Sequence, residues 1–352
     1  MSFINISHRR GRISQLGRLF TCLLVLCSFT GVAAQAQEVI VLGSTEAVVE
    51  WMNAENFWGE ENRGEHLQVP RAMITGITPT WAETSAKMPV GQKKEIFYRF
   101  MLPLVIHAND MVLDSRAKLQ AMDARLAIGE SLRPDEIEWL GEAAYLLRIV
   151  NQGDQAKKSA TELRQIISEA LYKLDIIPVG LVLGQAAYES GYGTSRFAAE
   201  GNALFGQWVY GGEGMVPDQQ RKNLGDHRIA SYEWPFDSVR SYYINLSSHP
   251  AYESFRKLRA ETRAAGKPLS SIELAQGLTS YSERGQEYVD TLRSIIRVNK
   301  LDNADGAVFR NEPMRFIVGA DGDAAAAELE QEIEQLRASG QLDTIIERMR
   351  LE

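Results

Sequence analysis

The sequence contains little cysteine and little histidine. Its two cysteines, Cys22 and Cys27, both precede residue 37, and a chain of 352 residues can bury a sufficient core without disulfides. The five histidines are scattered, with no paired spacing and no HExxH motif. His107 lies in the apolar run LPLVIHAND, which favours a core histidine over a ligand. These absences argue against a zinc hydrolase, which needs clustered metal ligands.

The sequence also lacks an excess of positive charge. It has 38 basic and 46 acidic side chains, which gives a net charge of −8. Nucleic acid binding needs basic surface to neutralise phosphates, and anionic membrane surfaces attract basic segments. The acidic balance therefore argues against both kinds of partner. With 45% hydrophobic and 24% charged residues, the composition is that of a globular protein, long enough for two domains.

The first 36 residues have the three parts of a secretory signal peptide. Four arginines precede an apolar run, Leu19 to Phe29, that is too short to span a bilayer. Ala34-Gln35-Ala36 then has the small-x-small form of a cleavage site. We expect removal of residues 1–36 and export to a periplasm by the general secretory route. These residues hold four arginines and no acid, so 34 basic and 46 acidic side chains remain, a net charge of −12.

The segment from Pro178 to Trp208 has the most informative pattern. Apolar residues follow Pro178 at helical spacing and predict a helix with one apolar face. Gly191 and Gly193 predict its end, because glycine accepts the left-handed conformation that closes a helix. Glu189 falls in the last turn, on or beside the apolar face. Apolar surroundings raise the pKa of a carboxyl group, which suits a general acid at neutral pH.

A solvated carboxylate at a helix end is the alternative interpretation of Glu189. A negative charge at the C-terminal end of a helix interacts unfavourably with the helix macrodipole, however, and aromatic residues and glycines are concentrated around Glu189. The aromatic residues are Tyr188, Tyr192, Phe197, Phe205 and Trp208, and the glycines are Gly191, Gly193, Gly201 and Gly206. Aromatic faces, exposed amides and one acid suit a sugar ring, although two layers of core packing would explain the aromatic residues equally well.

Periodicity along the rest of the chain predicts a mainly α (α+β) fold. The predicted helices cover residues 91–129 (one long helix or a pair, kinked at Pro103), 134–150, 156–174, 178–190, 235–246, 252–265, 271–278, 286–298 and 324–351. GMVP and HRIASYEW, between residues 208 and 234, predict a β-hairpin as the one sheet. The prolines between residues 69 and 90 predict a loop.

These patterns divide the chain into consecutive regions. We predict a signal peptide (1–36), a tether or short helix (37–68), an N-terminal helical region (69–155), a main helical domain with a small β-hairpin lobe (156–302), and a linker with a C-terminal amphipathic helix (303–352). We expect the C-terminal helix to pack on the chain's own body, with docking to a partner as the alternative.

The run QAAYESGYGTSRFAAEGNALFGQW resembles the signature of the glucosaminidase domain of glycoside hydrolase family 73. That signature is a helix ending in Glu-Ser, an aromatic-Gly-x-Ser turn, and Asn-x-Leu-Phe-Gly. The similarity continues in HPAYESFRKLRAE and SERGQEYVDTLRSIIRVNKLD. With VPRAMITGI and RFMLPLVIHAND upstream, residues 69–302 resemble the Bax-like glucosaminidase-domain proteins of bacteria.

This resemblance implies a lysozyme-like fold for residues 156–302, in which a helical lobe and a β lobe flank a groove with Glu189 at its floor. It implies an exported hydrolase that cuts peptidoglycan glycan strands next to N-acetylglucosamine, with Glu189 as proton donor and no metal or other cofactor. The groove residues that it implies are Asn202, Phe205, Gly206 and Tyr288.

Glycoside hydrolysis usually needs a second carboxyl group as nucleophile or base. In the family this acid is placed on the β-hairpin, where Glu213, Asp218 and Asp226 are candidates. Asp218 follows GMVP at the corresponding place, and an ordinary turn aspartate is its alternative interpretation. Substrate assistance by the 2-acetamido group removes the need for this acid. Tyr281 matches a tyrosine of the family and would then orient that group, with core packing as its alternative.

Two other functions share these features. An amidase acting on the peptide side of peptidoglycan is an activity also attached to this family. It would normally need zinc ligands or a Cys or Ser nucleophile, and the sequence shows neither. A wall-binding or assembly protein would hold glycan in the groove without cleaving it. The presence of Glu189 inside an intact motif argues against this second alternative.

Overall fold

The computed structural model describes residues 39–58, 67–78, 80–151, 158–210, 214–216, 227–342 and 344–346. Its helices are α1 (Thr45–Ala54), α2 (Trp81–Lys87), α3 (Val90–Ala127), α4 (Pro134–Leu146), α5 (Ala160–Lys173), α6 (Val179–Ser190), α7 (Arg196–Gly201), α8 (Pro235–Ser248), α9 (Glu253–Ala264), α10 (Ser271–Leu274), α11 (Gln286–Val298) and α12 (Asp323–Ala338). Its strands are β1 (Val39–Leu42), β2 (Gln68–Val69), β3 (Ala72–Ile74), β4 (Trp208–Tyr210), β5 (His227–Ile229), β6 (Val308–Phe309) and β7 (Arg315–Gly319). The predicted mainly α (α+β) class is confirmed.

Helix α6 lies at the centre of the molecule. Residues 179–187 are all buried, so the helix has no solvent face over this stretch, whereas the sequence predicted one apolar side. It packs against α3, α10, α11 and the 3-10 segment Leu301–Gly306. A Cβ on Gly180 would lie 2.4 Å from the Leu301 carbonyl oxygen, so this close approach requires glycine. The helix ends at Gly191 in the left-handed conformation, as predicted.

Helix α3 is a single helix with Pro103 inside it. By length and composition alone it could cross a membrane, but 67% of its most apolar 18-residue window is buried inside the protein, as in the core helix of a globular protein. Its C-terminal half packs with α4 and α5 around a second hydrophobic cluster. Helix α5 begins at Ala160 rather than 156, because Ser159 and Glu162 form a capping box there.

The two ends of the described chain meet in a parallel sheet with strand order β1-β7-β3. A second parallel pair joins β2 to β6. The prediction that the hairpin is the one sheet is therefore wrong, and the region predicted as a loop contains β3 and α2. These strands have two to five residues each and pair across more than 200 positions in sequence, so no local turn signal marks them.

Side-chain ion pairs also join the N- and C-terminal segments. Arg315 forms ion pairs with Glu55 and Glu312, and the hydrogen bond from Arg315 lowers the pKa of the Glu55 carboxyl. The segment predicted as a tether or short helix therefore contains β1 and α1, fixed to the body. Ile333 and Leu336 of α12 are buried in the main core, so the C-terminal helix packs on its own chain.

The small β lobe lies after α7. Strand β5 pairs antiparallel with β4, and Met215 forms a bridge to Ile229. The predicted strand in HRIASYEW is thus confirmed, although its main partner is β4 and GMVP contributes one bridge. This lobe is fixed to α7 by a backbone hydrogen bond from the Tyr232 N–H to the Gly201 carbonyl, 2.8 Å long.

Candidate functional site

Glu189 occupies the last turn of α6, where the helix emerges from the core. Its side chain is half-buried, whereas Tyr188 before it is exposed and Ser190 after it is buried. Burial raises the pKa of the Glu189 carboxyl, and a hydrogen bond from Tyr288 opposes part of that rise. The direction of this pKa shift is the one that the apolar pattern predicted.

The two oxygens of the Glu189 carboxyl have different surroundings. Oε1 accepts a hydrogen bond of 2.9 Å from the Tyr288 hydroxyl. Oε2 faces Gly206, where a Cβ atom would lie 4.0 Å from it and, its two chain neighbours aside, would meet no other described atom within that distance. Gly206 is exposed and has a φ of 59°, which favours glycine. Among the described residues, no side chain at position 206 therefore covers Oε2 from this direction.

Three tyrosine rings pack together beside Glu189. The rings of Tyr281 and Tyr288 are stacked with centroids 5.5 Å apart, and Tyr188 meets Tyr288 edge-on at 5.6 Å. The Tyr281 hydroxyl donates to the Phe205 carbonyl over 3.2 Å. Tyr281 is partly exposed and Tyr188 is 37% exposed, while Tyr288 is buried. The structure thus brings both sequence-predicted tyrosines next to the predicted acid.

Behind Tyr288, a buried amide links two tyrosines. The Tyr242 hydroxyl donates to Gln185 Oε1 at 2.5 Å, and Gln185 Nε2 donates to the Tyr288 oxygen at 2.9 Å. Neither Gln185 nor Tyr242 was predicted as a site residue from the sequence. A signal for Gln185 was present, because it is a polar residue in an apolar helix, four positions before Glu189 and so on the same face. No local pattern indicated that Tyr242 of α8 would meet it.

Asn202 ends α7 in a left-handed conformation, with a φ of 50°. Its Oδ1 accepts from the Ile77 N–H at 3.3 Å, and its Nδ2 donates to the carbonyls of Tyr232 and Glu233. The Asn202 amide therefore holds the segment before α2 and the end of the β lobe against the end of α7. The substrate contact implied for Asn202 by the resemblance has to compete with these three bonds.

Phe205 is buried, and its ring stacks on Tyr242 with centroids 4.2 Å apart. Its backbone carbonyl, rather than its ring, faces Tyr281. Of the groove residues implied by the resemblance, Gly206 is exposed, Asn202 is half-buried, and Phe205 and Tyr288 are buried.

The turn after Glu189 is fixed by its neighbour Ser190. The Ser190 hydroxyl donates to the Ala186 carbonyl at 2.6 Å and accepts from the Gly193 N–H at 2.8 Å. Trp81 of α2 donates from Nε1 to the Tyr192 carbonyl at 2.8 Å. The Glu-Ser-aromatic-Gly part of the motif thus holds the chain in the turn that presents Glu189.

The rim of the site is aromatic and charged. Trp208 is 45% exposed on β4, two residues after Gly206. Arg284 donates to the Tyr188 hydroxyl and forms an ion pair with Glu287. Exposed aromatic faces beside charged side chains suit a polar ring such as a sugar.

The three acids considered for the second carboxyl group, Glu213, Asp218 and Asp226, lie outside the described residues. Within the described part of the chain, no three His, Cys, Asp or Glu side chains are grouped as metal ligands would be. His107 is half-buried with its ring 4.9 Å from that of Phe236, and burial lowers its pKa to about 4. That environment fits the predicted core histidine.

Residues 164–301 match the Glucosaminidase family, described as mannosyl-glycoprotein endo-beta-N-acetylglucosaminidase. The chain is also 28% identical over 215 residues to the protein Bax of Escherichia coli strain K12, an alignment that covers 61% of this chain and 73% of Bax. No solved structure is a significant match. The matched family span contains Glu189 and the tyrosines packed beside it. These matches support a Bax-like protein with a glucosaminidase domain at residues 164–301, a domain of the glycan hydrolase kind.

Proposed function

We propose that this protein is an exported peptidoglycan hydrolase that cleaves glycan strands next to N-acetylglucosamine, with Glu189 as the general acid. The Glu189 carboxyl carries the proposal, because burial raises its pKa, Tyr288 holds Oε1, and Oε2 faces the exposed Gly206. A carboxyl group that keeps its proton closer to neutral pH can protonate the leaving oxygen of a glycoside. The match of residues 164–301 to the glucosaminidase family supports a glycan as the substrate.

In this reaction the bond between the anomeric carbon and the glycosidic oxygen breaks as that oxygen takes the proton from Glu189. The product carboxylate is stabilised by the hydrogen bond from Tyr288 to Oε1. Water completes the hydrolysis by adding its hydroxyl to the anomeric carbon, and its second proton returns to Glu189. Burial favours that return, because it disfavours the ionised carboxylate.

We propose substrate assistance: the 2-acetamido oxygen bonds to the anomeric carbon as the glycosidic bond breaks, and water then displaces that oxygen and restores the acetamido group. Asp218 is the alternative second catalytic group. The Tyr281 hydroxyl uses its hydrogen on the Phe205 carbonyl, so its oxygen remains able to accept a hydrogen bond. An acetamido N–H is a suitable donor to that oxygen, and binding it would orient the acetamido oxygen towards the anomeric carbon. Tyr281 would then be the positioning partner that the resemblance implies.

Product analysis after digestion of purified peptidoglycan tests the proposed function. New reducing N-acetylglucosamine ends would support it. Free stem peptides would identify the amidase alternative, and binding without products would identify a wall-binding protein that does not cleave glycan.

We expect Tyr288→Phe to move the upper limb of the pH profile of kcat/KM to higher pH. The hydrogen bond from Tyr288 lowers the pKa of Glu189, so its loss leaves burial alone and raises that pKa further. A general acid is active while protonated, and its activity is lost as pH rises through its pKa. The profile is measured on purified peptidoglycan or a soluble glycan fragment.

Tyr188→Phe is the matched control for this variant, because the Tyr188 hydroxyl bonds Arg284 and its ring packs on Tyr288. This control should leave the upper limb in place. A limb that stays in place in folded Tyr288→Phe, or that moves to lower pH, would contradict the assignment of the limb to Glu189.

Export is proposed from the N-terminal signal sequence, residues 1–36, which lies outside the described residues. We expect N-terminal sequencing of the exported protein to begin at Gln37. A cytoplasmic protein that keeps Met1 would contradict export.

A further inference from the structure

We propose that Gln185 and Tyr242 are positioning residues for the general acid, through a buried chain of hydrogen bonds that directs the Tyr288 hydroxyl hydrogen onto Glu189 Oε1. The acidic proton of Glu189 is then confined to Oε2. This inference rests on the proposed role of Glu189 as the acid. It assigns function to Gln185, the first residue of the run that carries the resemblance, and to Tyr242 of α8, neither of which was identified as a site residue from the sequence.

Three hydrogen bonds run in one direction towards the carboxyl group. Tyr242 donates to Gln185 Oε1 at 2.5 Å, Gln185 Nε2 donates to Tyr288 at 2.9 Å, and Tyr288 donates to Glu189 Oε1 at 2.9 Å. Gln185 and Tyr242 are 0% exposed and Tyr288 is 1% exposed. Bulk water therefore has little access to these donors and acceptors.

The direction of the chain follows from the chemistry of its members. A carboxylate only accepts hydrogen bonds, so the single hydroxyl hydrogen of Tyr288 belongs on Glu189. The Tyr288 oxygen then needs a donor, which the amide nitrogen of Gln185 supplies, and Gln185 Oε1 is left to accept from Tyr242. A reversed amide would turn its oxygen towards Tyr288 and draw the hydrogen away from Glu189. In a buried site, the unpaired carboxylate oxygen would be costly.

Each member is also held by packing. Gln185 lies on α6 one turn before Glu189, so its position relative to the acid is fixed by the helix. Tyr242 of α8 is stacked on Phe205 at 4.2 Å, and Tyr288 of α11 is stacked on Tyr281 at 5.5 Å. The chain of hydrogen bonds thus connects α6, α8 and α11, and stacking leaves the rings of Tyr242 and Tyr288 little freedom to rotate.

This arrangement has a consequence for the reaction. With Oε1 occupied by the Tyr288 hydrogen, a proton on Glu189 resides on Oε2, the oxygen that faces Gly206. The charge of Glu189 acts on four described tyrosines, Tyr242, Tyr252, Tyr281 and Tyr288, and burial raises the pKa of each. They therefore stay neutral where Glu189 titrates, and the upper limb of the pH profile reports Glu189.

The test is a double-mutant cycle with the pH profile as its readout. Gln185→Met keeps the side-chain length and removes both hydrogen-bonding ends. We expect it to lower kcat/KM about tenfold, the effect of one hydrogen bond on a barrier, and to move the upper limb to higher pH. In a Tyr288→Phe background, Gln185→Met should leave the upper limb in place and change kcat/KM by no more than about twofold. The hydrogen-bond path from Gln185 to Glu189 is already broken in that background.

Two further variants separate positioning from packing. Tyr242→Phe loses one oxygen and frees the Gln185 amide to reverse, so it should also move the upper limb to higher pH. This variant replaces Gln185→Met in the test if Gln185→Met does not fold. Tyr243→Phe is the matched control, because the neighbouring buried hydroxyl donates to Asn109 Oδ1 at 2.9 Å instead. It should lower the melting temperature and leave the limb in place.

The inference would be overturned if Gln185→Met lowered kcat/KM equally in the wild type and in Tyr288→Phe. It would also be overturned if Tyr243→Phe moved the upper limb of the pH profile as far as Tyr242→Phe does. Failure of the proposed function gives a different result, in which folded Glu189→Gln retains wild-type turnover. The two failures are therefore distinguishable with the same substrate and assay.

Discussion

Glu189→Gln is expected to lower the rate of glycan cleavage by about 10²–10⁴-fold while the fold is retained, the usual contribution of a general acid. Glutamine keeps the size of the side chain and can still accept from Tyr288, but it has no acidic proton for a leaving sugar oxygen. Turnover on purified peptidoglycan is the measurement, with circular dichroism to verify folding. Glu261→Gln, on the exposed side of α9, is the matched control and should keep wild-type turnover.

The same variant makes a second measurement possible. Because burial raises the pKa of Glu189 in the folded state, the stability that this group contributes is fully present below its unfolded pKa and is lost as pH rises through its folded pKa. Glutamine removes that loss, so Glu189→Gln should be more stable than the wild type at neutral pH and gain nothing at acid pH. A variant that is inactive because it unfolds would instead melt earlier at neutral pH.

Gly180→Ala is expected to destabilise the protein by about 1–3 kcal/mol, towards the upper end because the obstacle is backbone. The added Cβ would lie 2.4 Å from the carbonyl oxygen of Leu301 and 2.8 Å from Ser271 Oγ. The helix that carries Glu189 would have to move away from the 3-10 segment after α11. It would also strain the bond from the Gly180 N–H to Asp305 Oδ1, which is 2.9 Å long. Chemical denaturation of the purified protein measures this loss.

Gly91→Ala provides the matched comparison for Gly180→Ala. Gly91 lies in the first turn of α3, and a Cβ there would meet nothing within 4 Å. Alanine is the better helix former, so this change should stabilise the protein by roughly 0.5–1 kcal/mol. Equal effects of the two substitutions would contradict the close packing of α6 described above.

The helix α6 and its acid could be predicted because the signals are local. Pro178, the apolar residues after it and Gly191 determine where the helix begins and ends, and the spacing places Glu189 against the core. The partners of that acid could not be predicted in the same way. Tyr242 lies 57 residues from Gln185 in sequence, and Tyr288 lies 99 residues from Glu189, so only the packing of α6, α8 and α11 brings them together.

The parallel sheet was missed for a related reason. β1 and β7 are short and separated by most of the chain, and parallel pairing leaves no hairpin turn between the two strands. Asn202 shows a different limit. Its place in a motif suggested contact with substrate, while its amide makes three hydrogen bonds that hold the surrounding loops. A motif identifies residue types and does not say which of them maintain the geometry of the site.

Identification of the new reducing end tests the central claim most directly. Purified peptidoglycan is digested by the wild type and by Glu189→Gln, the products are reduced with borohydride, and the reduced sugar is identified after acid hydrolysis. Cleavage next to N-acetylglucosamine with Glu189 as the acid predicts reduced glucosamine from the wild type and almost none from the variant. Reduced muramic acid, or equal amounts of reduced glucosamine from the wild type and the folded variant, would contradict it.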